Sequence, residues 1–163
     1  MSMVDSHASA GGDYKLLETI AYTNTGAITK YRAFIPPPRT IAATFVLDVT
    51  ITGTTPLMDF NLLGVNVAKD AAWFSSPDDT NFYNIGAGWG AGITQLTTDA
   101  SSPAVTIHLS PYAPIDVTGS ATVDSAYSIN CFLPPVMAYK YVLDGGTGDE
   151  DYNGTISVYW HRM

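Results

Sequence analysis

The residues best spaced for chemistry lie near the C-terminus, where Asp149, Asp151, Asn153 and Gly154 spell D-x-D-x-N-G. Side-chain oxygens at alternate positions, followed by a glycine for a sharp turn, form the first half of an EF-hand calcium loop. The full pattern needs a bidentate glutamate at loop position twelve, and that position is Trp160, inside an apolar alternating run. Asp, Asn and Gly are also the residues that a β-turn demands. Two alternating runs, around Tyr141 and around Val158, flank the segment. The expectation is therefore a hairpin turn, with Asp149, Asp151 and Asn153 as a weak calcium candidate and no assigned metal or other cofactor.

Catalytic groupings are sparser. Of the three histidines, His7 lies in a small-residue tail, His161 sits two residues from the end, and only His108, in "TIHLS", falls within a strand pattern. Its ring is expected on the polar face. No G-x-S-x-G elbow occurs, and "GAGWGAG" lacks the lysine and the strand-to-helix setting of a phosphate loop. No pair of histidines with a neighbouring carboxylate appears at zinc-ligand spacing. Cys131, between Asn130 and Phe132, reads as a small buried hydrophobe. It is the single cysteine, which excludes an internal disulfide. The Asn153-Gly154-Thr155 sequon is discounted because "MSMVDSHASAGGDYK" has neither the basic start nor the apolar stretch of a signal peptide. No catalytic residues are assigned, and an enzyme is not expected.

The elements that would position these residues are strands. The cleanest alternation in the chain is "TFVLDVTIT", with Phe45, Leu47, Val49 and Ile51 on one face and Thr44, Asp48, Thr50 and Thr52 on the other. After the turn "GTTP", Met58, Phe60 and Leu62 continue an apolar face, as the returning arm of a hairpin would. Two shorter runs, 16–22 and 27–35, surround "TNTG". Val105, Ile107 and Leu109 mark another strand. Tyr139, Tyr141 and Leu143 form a final pair with Ile156, Val158 and Trp160. Seven to nine short strands with no convincing helix predict an all-β, antiparallel, jelly-roll-like β-sandwich. Residues 1–13 are expected to be a flexible N-terminal arm and 14–163 a single domain. "VLD" recurs at 46–48 and 142–144, each time downstream of a proline run, which suggests comparable places in the two halves of the sandwich. Between 68 and 102 the chain is loop-like and aromatic. Trp73, Phe74, Phe82, Tyr83 and Trp89 are candidate interface residues there, or plugs for the open end of the sandwich.

Composition narrows the function classes. Charged residues are only 13% of the chain, against about 25% in ordinary soluble domains. The net charge of −8, with no basic cluster, argues against nucleic acid as a partner. No apolar run is long enough for a membrane helix, so no membrane association is expected.

"FVLDVTITGTTPLMDFNLLG", an aromatic and acidic loop, and "FLPPVMAYKYVLDGG" leading to "YNGTISVYW" together resemble small virion structural proteins of tailed bacteriophages. The likeness is carried by Asp48, Val49, Thr50, Gly53, Thr54 and Pro56, by the strand–T-G–strand opening "LLETIAYTNTGAITKY", and by the closing glycine-rich segment. It spans most of residues 14–160. The acidic D-G-x-x-W segment usual after the first hairpin is replaced here by "KDAAWFSSPDD". The resemblance implies a non-enzymatic β-sandwich that decorates or cements a capsid. Its implied partners are the major capsid protein or other virion proteins, with homotrimeric packing and a virion location after synthesis in the host cytoplasm. A carbohydrate- or receptor-binding module of a phage tail or appendage is the alternative.

Overall fold

The structure, a computed structural model, describes residues 12–54, 56–65, 82–85, 105–111, 126–145 and 148–163. Among them are nine strands and no helix: β1 (Gly12–Tyr22), β2 (Ile28–Phe34), β3 (Thr40–Thr52), β4 (Pro56–Val65), β5 (Phe82–Asn84), β6 (Val105–Ser110), β7 (Ala126–Asn130), β8 (Met137–Gly145) and β9 (Asp151–Arg162). They form a five-stranded sheet in the order β1-β9-β3-β6-β7 and a four-stranded sheet in the order β2-β8-β4-β5. All pairings are antiparallel except β6 with β7, which is parallel. With β7 set aside, the chain steps from one sheet to the other at almost every connection, which is the strand order of a jelly roll.

The alternation in β3 is borne out residue by residue: Phe45, Leu47, Val49 and Ile51 are buried, and Asp48, Thr50 and Thr52 are exposed. Met58, Phe60 and Leu62 of β4, Ile107 and Leu109 of β6, Tyr139, Tyr141 and Leu143 of β8, and Ile156, Val158 and Trp160 of β9 join them in one core cluster. Each such side chain contributes about 1.5–3 kcal/mol when fully withdrawn from water. Phe34, Phe45 and Trp160 meet at one end of this core, with the Phe45 and Trp160 rings edge-on at 5.9 Å. Leu47 of β3 and Leu143 of β8 are both buried, so the recurring "VLD" does mark an interior strand of each sheet.

The hairpins expected from the sequence are corrected. β1 and β2, β3 and β4, and β8 and β9 each lie in different sheets, so "TNTG", "GTTP" and the Asp149–Gly154 region connect layers rather than hydrogen-bonded neighbours. The reason is that period-two alternation fixes which face a strand buries, not which strand lies beside it. Two faces that meet across a sandwich core carry the same pattern as two that share a ladder. β1 begins at Gly12, paired with His161.

The neighbour of β9 is set instead by Gly154. A Cβ there would lie 1.9 Å from the Asp48 carbonyl oxygen and 2.6 Å from Val49 Cα. The lack of a side chain lets β3 and β9 close on each other at the register Val49–Gly154.

Candidate functional site

Three connections meet at one end of the sandwich, and residues 149–151 tie them together. The Thr54 hydroxyl donates to Asp149 Oδ2 at 2.7 Å, and the Asn24 backbone N–H donates to Asp151 Oδ1 at 2.9 Å. The Thr25 N–H donates to the Glu150 carbonyl at 3.2 Å, while the Gly148 N–H donates to Glu150 Oε2 at 2.9 Å. Left-handed backbone at Asn24 and Gly148 makes the turns possible. The calcium candidates are thus placed: Asp149 in the turn, Asp151 at the first position of β9, and Asn153 exposed two residues along the strand. From Asp151 onward the segment is strand, and the Asp149 and Asp151 carboxylates accept hydrogen bonds from neighbouring turns. Among the described residues no group of three or more His, Cys, Asp or Glu could hold a metal ion.

Asp151 and Asn153 nonetheless share an open groove with Asp48, Thr50, Thr52, Gly154 and Thr155 on the outer face of the five-stranded sheet. Its volume is about 550 Å³. It forms because the outward residues of β3 and β9 are short and polar there, and because Gly154 holds the strands close. The lining is oxygen-rich and offers hydroxyl, amide and carboxylate partners to a polar ligand.

Further along the same outer face, Thr44 on β3 stands between two histidines. Its Oγ1 lies 2.9 Å from His108 Nδ1 on β6 and 2.8 Å from His161 Nε2 on β9. The two rings are edge-on with centroids 5.7 Å apart. Partial burial, then the neighbouring His161, hold His108 below the usual imidazole value. The sequence expectation of His108 on a polar face is met. What spacing could not reveal is that His161, 53 positions on in the sequence, returns beside it through the β3–β9 and β3–β6 ladders.

Beyond the histidines the face turns apolar. The Tyr14 and Tyr159 rings are 5.1 Å apart, and Tyr14, Leu16 and Tyr159 are 50%, 47% and 39% exposed. This patch reaches β1, the outermost of the described strands of this sheet. Of the aromatic residues singled out from sequence, Trp73, Phe74 and Trp89 lie outside the described residues. Phe82 opens β5 opposite Val65. Tyr83 lies across Gly64, whose missing Cβ would fall 2.1 Å from the Tyr83 ring. Burial, and secondarily the nearby Cys131, raise the Tyr83 phenol above its ordinary value. The Cys131 thiol is itself raised by burial and packs against the core.

A polar cluster lies between the sheets. Glu18 of β1 points inward and accepts from the Tyr139 hydroxyl at 2.5 Å and the Tyr141 hydroxyl at 2.9 Å. The Tyr22 hydroxyl lies 3.5 Å from that of Tyr141. Burial first, then hydrogen bonding around Glu18, pushes both β8 phenols well above the ordinary tyrosine value. Two phenol hydroxyls thus satisfy the Glu18 carboxylate between the sheets. Sequence reasoning missed it because Glu18 follows a bulge between Leu16 and Glu18, which rotates the glutamate inward.

Comparison of the chain with models of protein families, with curated proteins and with solved structures finds no match in any of the three.

Proposed function

We propose that the protein is a non-enzymatic virion structural protein that decorates or cements a phage capsid through subunit–subunit contacts. One observation carries the reading: the Tyr14–Leu16–Tyr159 patch on the outer sheet face, which leaves large aromatic surface in water. Interfaces take most of their energy from a few such anchors ringed by polar residues, and here Thr44 of β3 lies directly opposite Tyr159 on the same face. The fold supports the reading by analogy, since jelly rolls serve as capsid domains. The partners are a second and third copy of the chain and the capsid shell.

The test is the mass of the purified chain by light scattering across a range of concentration. A trimer that falls to monomer on the double change Tyr14→Ser and Tyr159→Ser is the expected result. A monomer at every concentration that also fails to bind phage shells lacking small decorating proteins overturns the proposal.

A second reading, a carbohydrate- or receptor-binding module, is favoured by the groove around Asp48, Asp151 and Asn153. Jelly rolls serve lectins as well. Saturable glycan binding abolished by Asn153→Ala in a chain that stays monomeric would support it over the first.

A further inference from the structure

The histidine pair belongs to neither reading. His108 Nδ1 and His161 Nε2 converge on one oxygen atom, so the two nitrogens are separated by less than the two hydrogen bonds laid end to end. Three adjacent strands of one sheet, β6, β3 and β9, hold the three residues, and these strands lie in its interior rather than at its free edge. A platform of that kind keeps side chains near a fixed geometry better than a loop does. The single hydroxyl proton of Thr44 can satisfy one ring nitrogen, while the oxygen accepts from the N–H of the other. Neutral imidazole is the commonest side-chain ligand for first-row transition metals, which it binds at about 2.0–2.1 Å in the case of zinc. A small turn of both rings toward each other, with the Thr44 hydroxyl displaced and the ring nitrogens facing it both deprotonated, would place both lone pairs on a common ion. The nearest cation along the chain, Arg162, is ion-paired with Asp13.

We propose that His108 and His161, gathered around Thr44, form a two-imidazole site for a divalent transition metal on the outer face of the five-stranded sheet. Two protein nitrogens leave the remaining coordination positions to water, to the Thr44 hydroxyl or to an incoming group. Binding is therefore weaker than at a closed structural zinc site, and it follows the order in which Cu²⁺ exceeds Ni²⁺ and Zn²⁺. The aromatic patch begins next door, because Tyr159 pairs with Thr44 on the same face. The proposal does not depend on the assembly reading.

The experiment uses the full, untagged chain titrated with CuCl₂ and, separately, with ZnCl₂. The binding isotherm should be saturable at one ion per chain, and the Cu²⁺ electron paramagnetic resonance spectrum should carry the splitting of two imidazole nitrogens. His108→Gln and His161→Gln should each weaken binding at least tenfold with the circular dichroism spectrum preserved. His7→Gln, at the one remaining histidine, should leave the affinity within twofold. If a glutamine variant fails to fold, the wild-type chain still decides: substoichiometric Cu²⁺ should broaden two of the three histidine ring signals together. The proposal is overturned by the absence of saturable binding, by loss of binding in the His7 variant, or by indifference to both His108→Gln and His161→Gln.

Discussion

At the scale of single residues, the interior is most sensitive where polar groups meet. Glu18 accepts from two tyrosine hydroxyls between the sheets, and its removal in Glu18→Ala leaves both without their acceptor. The expected loss is about 1–3 kcal/mol for each orphaned hydroxyl, measured by urea denaturation. The same pair predicts behaviour in alkali. Tyr139 and Tyr141 have folded-state values above that of a free phenol, so the folded chain retains protons that the unfolded chain gives up. Their contribution to stability is complete below pH about 10 and is lost as pH rises beyond it. Of the ten tyrosines, these two should stay un-ionised in absorbance at 295 nm until the fold itself gives way. Early ionisation of all ten in a folded chain would refute this. A contrasting pair of glycines separates backbone from side-chain constraint. Gly154→Ala drives a methyl group into the β3 backbone and should cost about 3 kcal/mol or more. Gly64→Ala meets only the far end of the Tyr83 side chain, which can swing away, so the fold should persist with Tyr83 displaced. Equal losses of stability would show that both strand contacts are equally rigid.

At the scale of elements, the sequence was most informative about faces and least about neighbours. The alternation of Phe45, Leu47, Val49 and Ile51 needs only the local geometry of an extended chain, so it could be read directly. The partnership of β3 with β9 depends on Gly154 meeting Asp48 and Val49 from across the chain, and no local pattern encodes that meeting. The turn residues of "TNTG" and "GTTP" were recognisable as turns, yet their type does not say whether the next strand returns beside the last or crosses to the other sheet. The candidate site shows the same division. Asp149, Asp151 and Asn153 stood out because they are close in sequence, and the structure assigns Asp149 and Asp151 to bracing the turns. The pairing of His108 with His161 is not legible in the sequence, because only the sheet order unites them. Both edge strands on one flank also carry charges toward the interior side, Glu18 on β1 and Arg32 on β2. Such placement discourages uncontrolled edge-to-edge pairing.

For the whole molecule, nearly every strand pairing joins distant parts of the chain, and β1 waits for β9, the last strand, to arrive. Folding should therefore be slow for a domain of this size, on the order of milliseconds to seconds, as stopped-flow tryptophan fluorescence would report. Assembly through the Tyr14–Tyr159 patch would bury that end of the outer face of the five-stranded sheet and leave the opposite sheet to other contacts. Concentration-dependent mass is the property that decides this.

The pairing of Gly12 with His161 has a mechanical consequence. β1 enters the sheet at the point where β9 leaves it, so tension applied at Gly12 and His161 would load that pair first and the others only in turn. Strands loaded this way part like a zipper, at forces far below those needed to shear a ladder whose bonds share the load. Pulled instead between residue 12 and residue 151, at opposite ends of the β1–β9 ladder, the protein should resist strongly. Optical-tweezer traces along the two directions would show the difference.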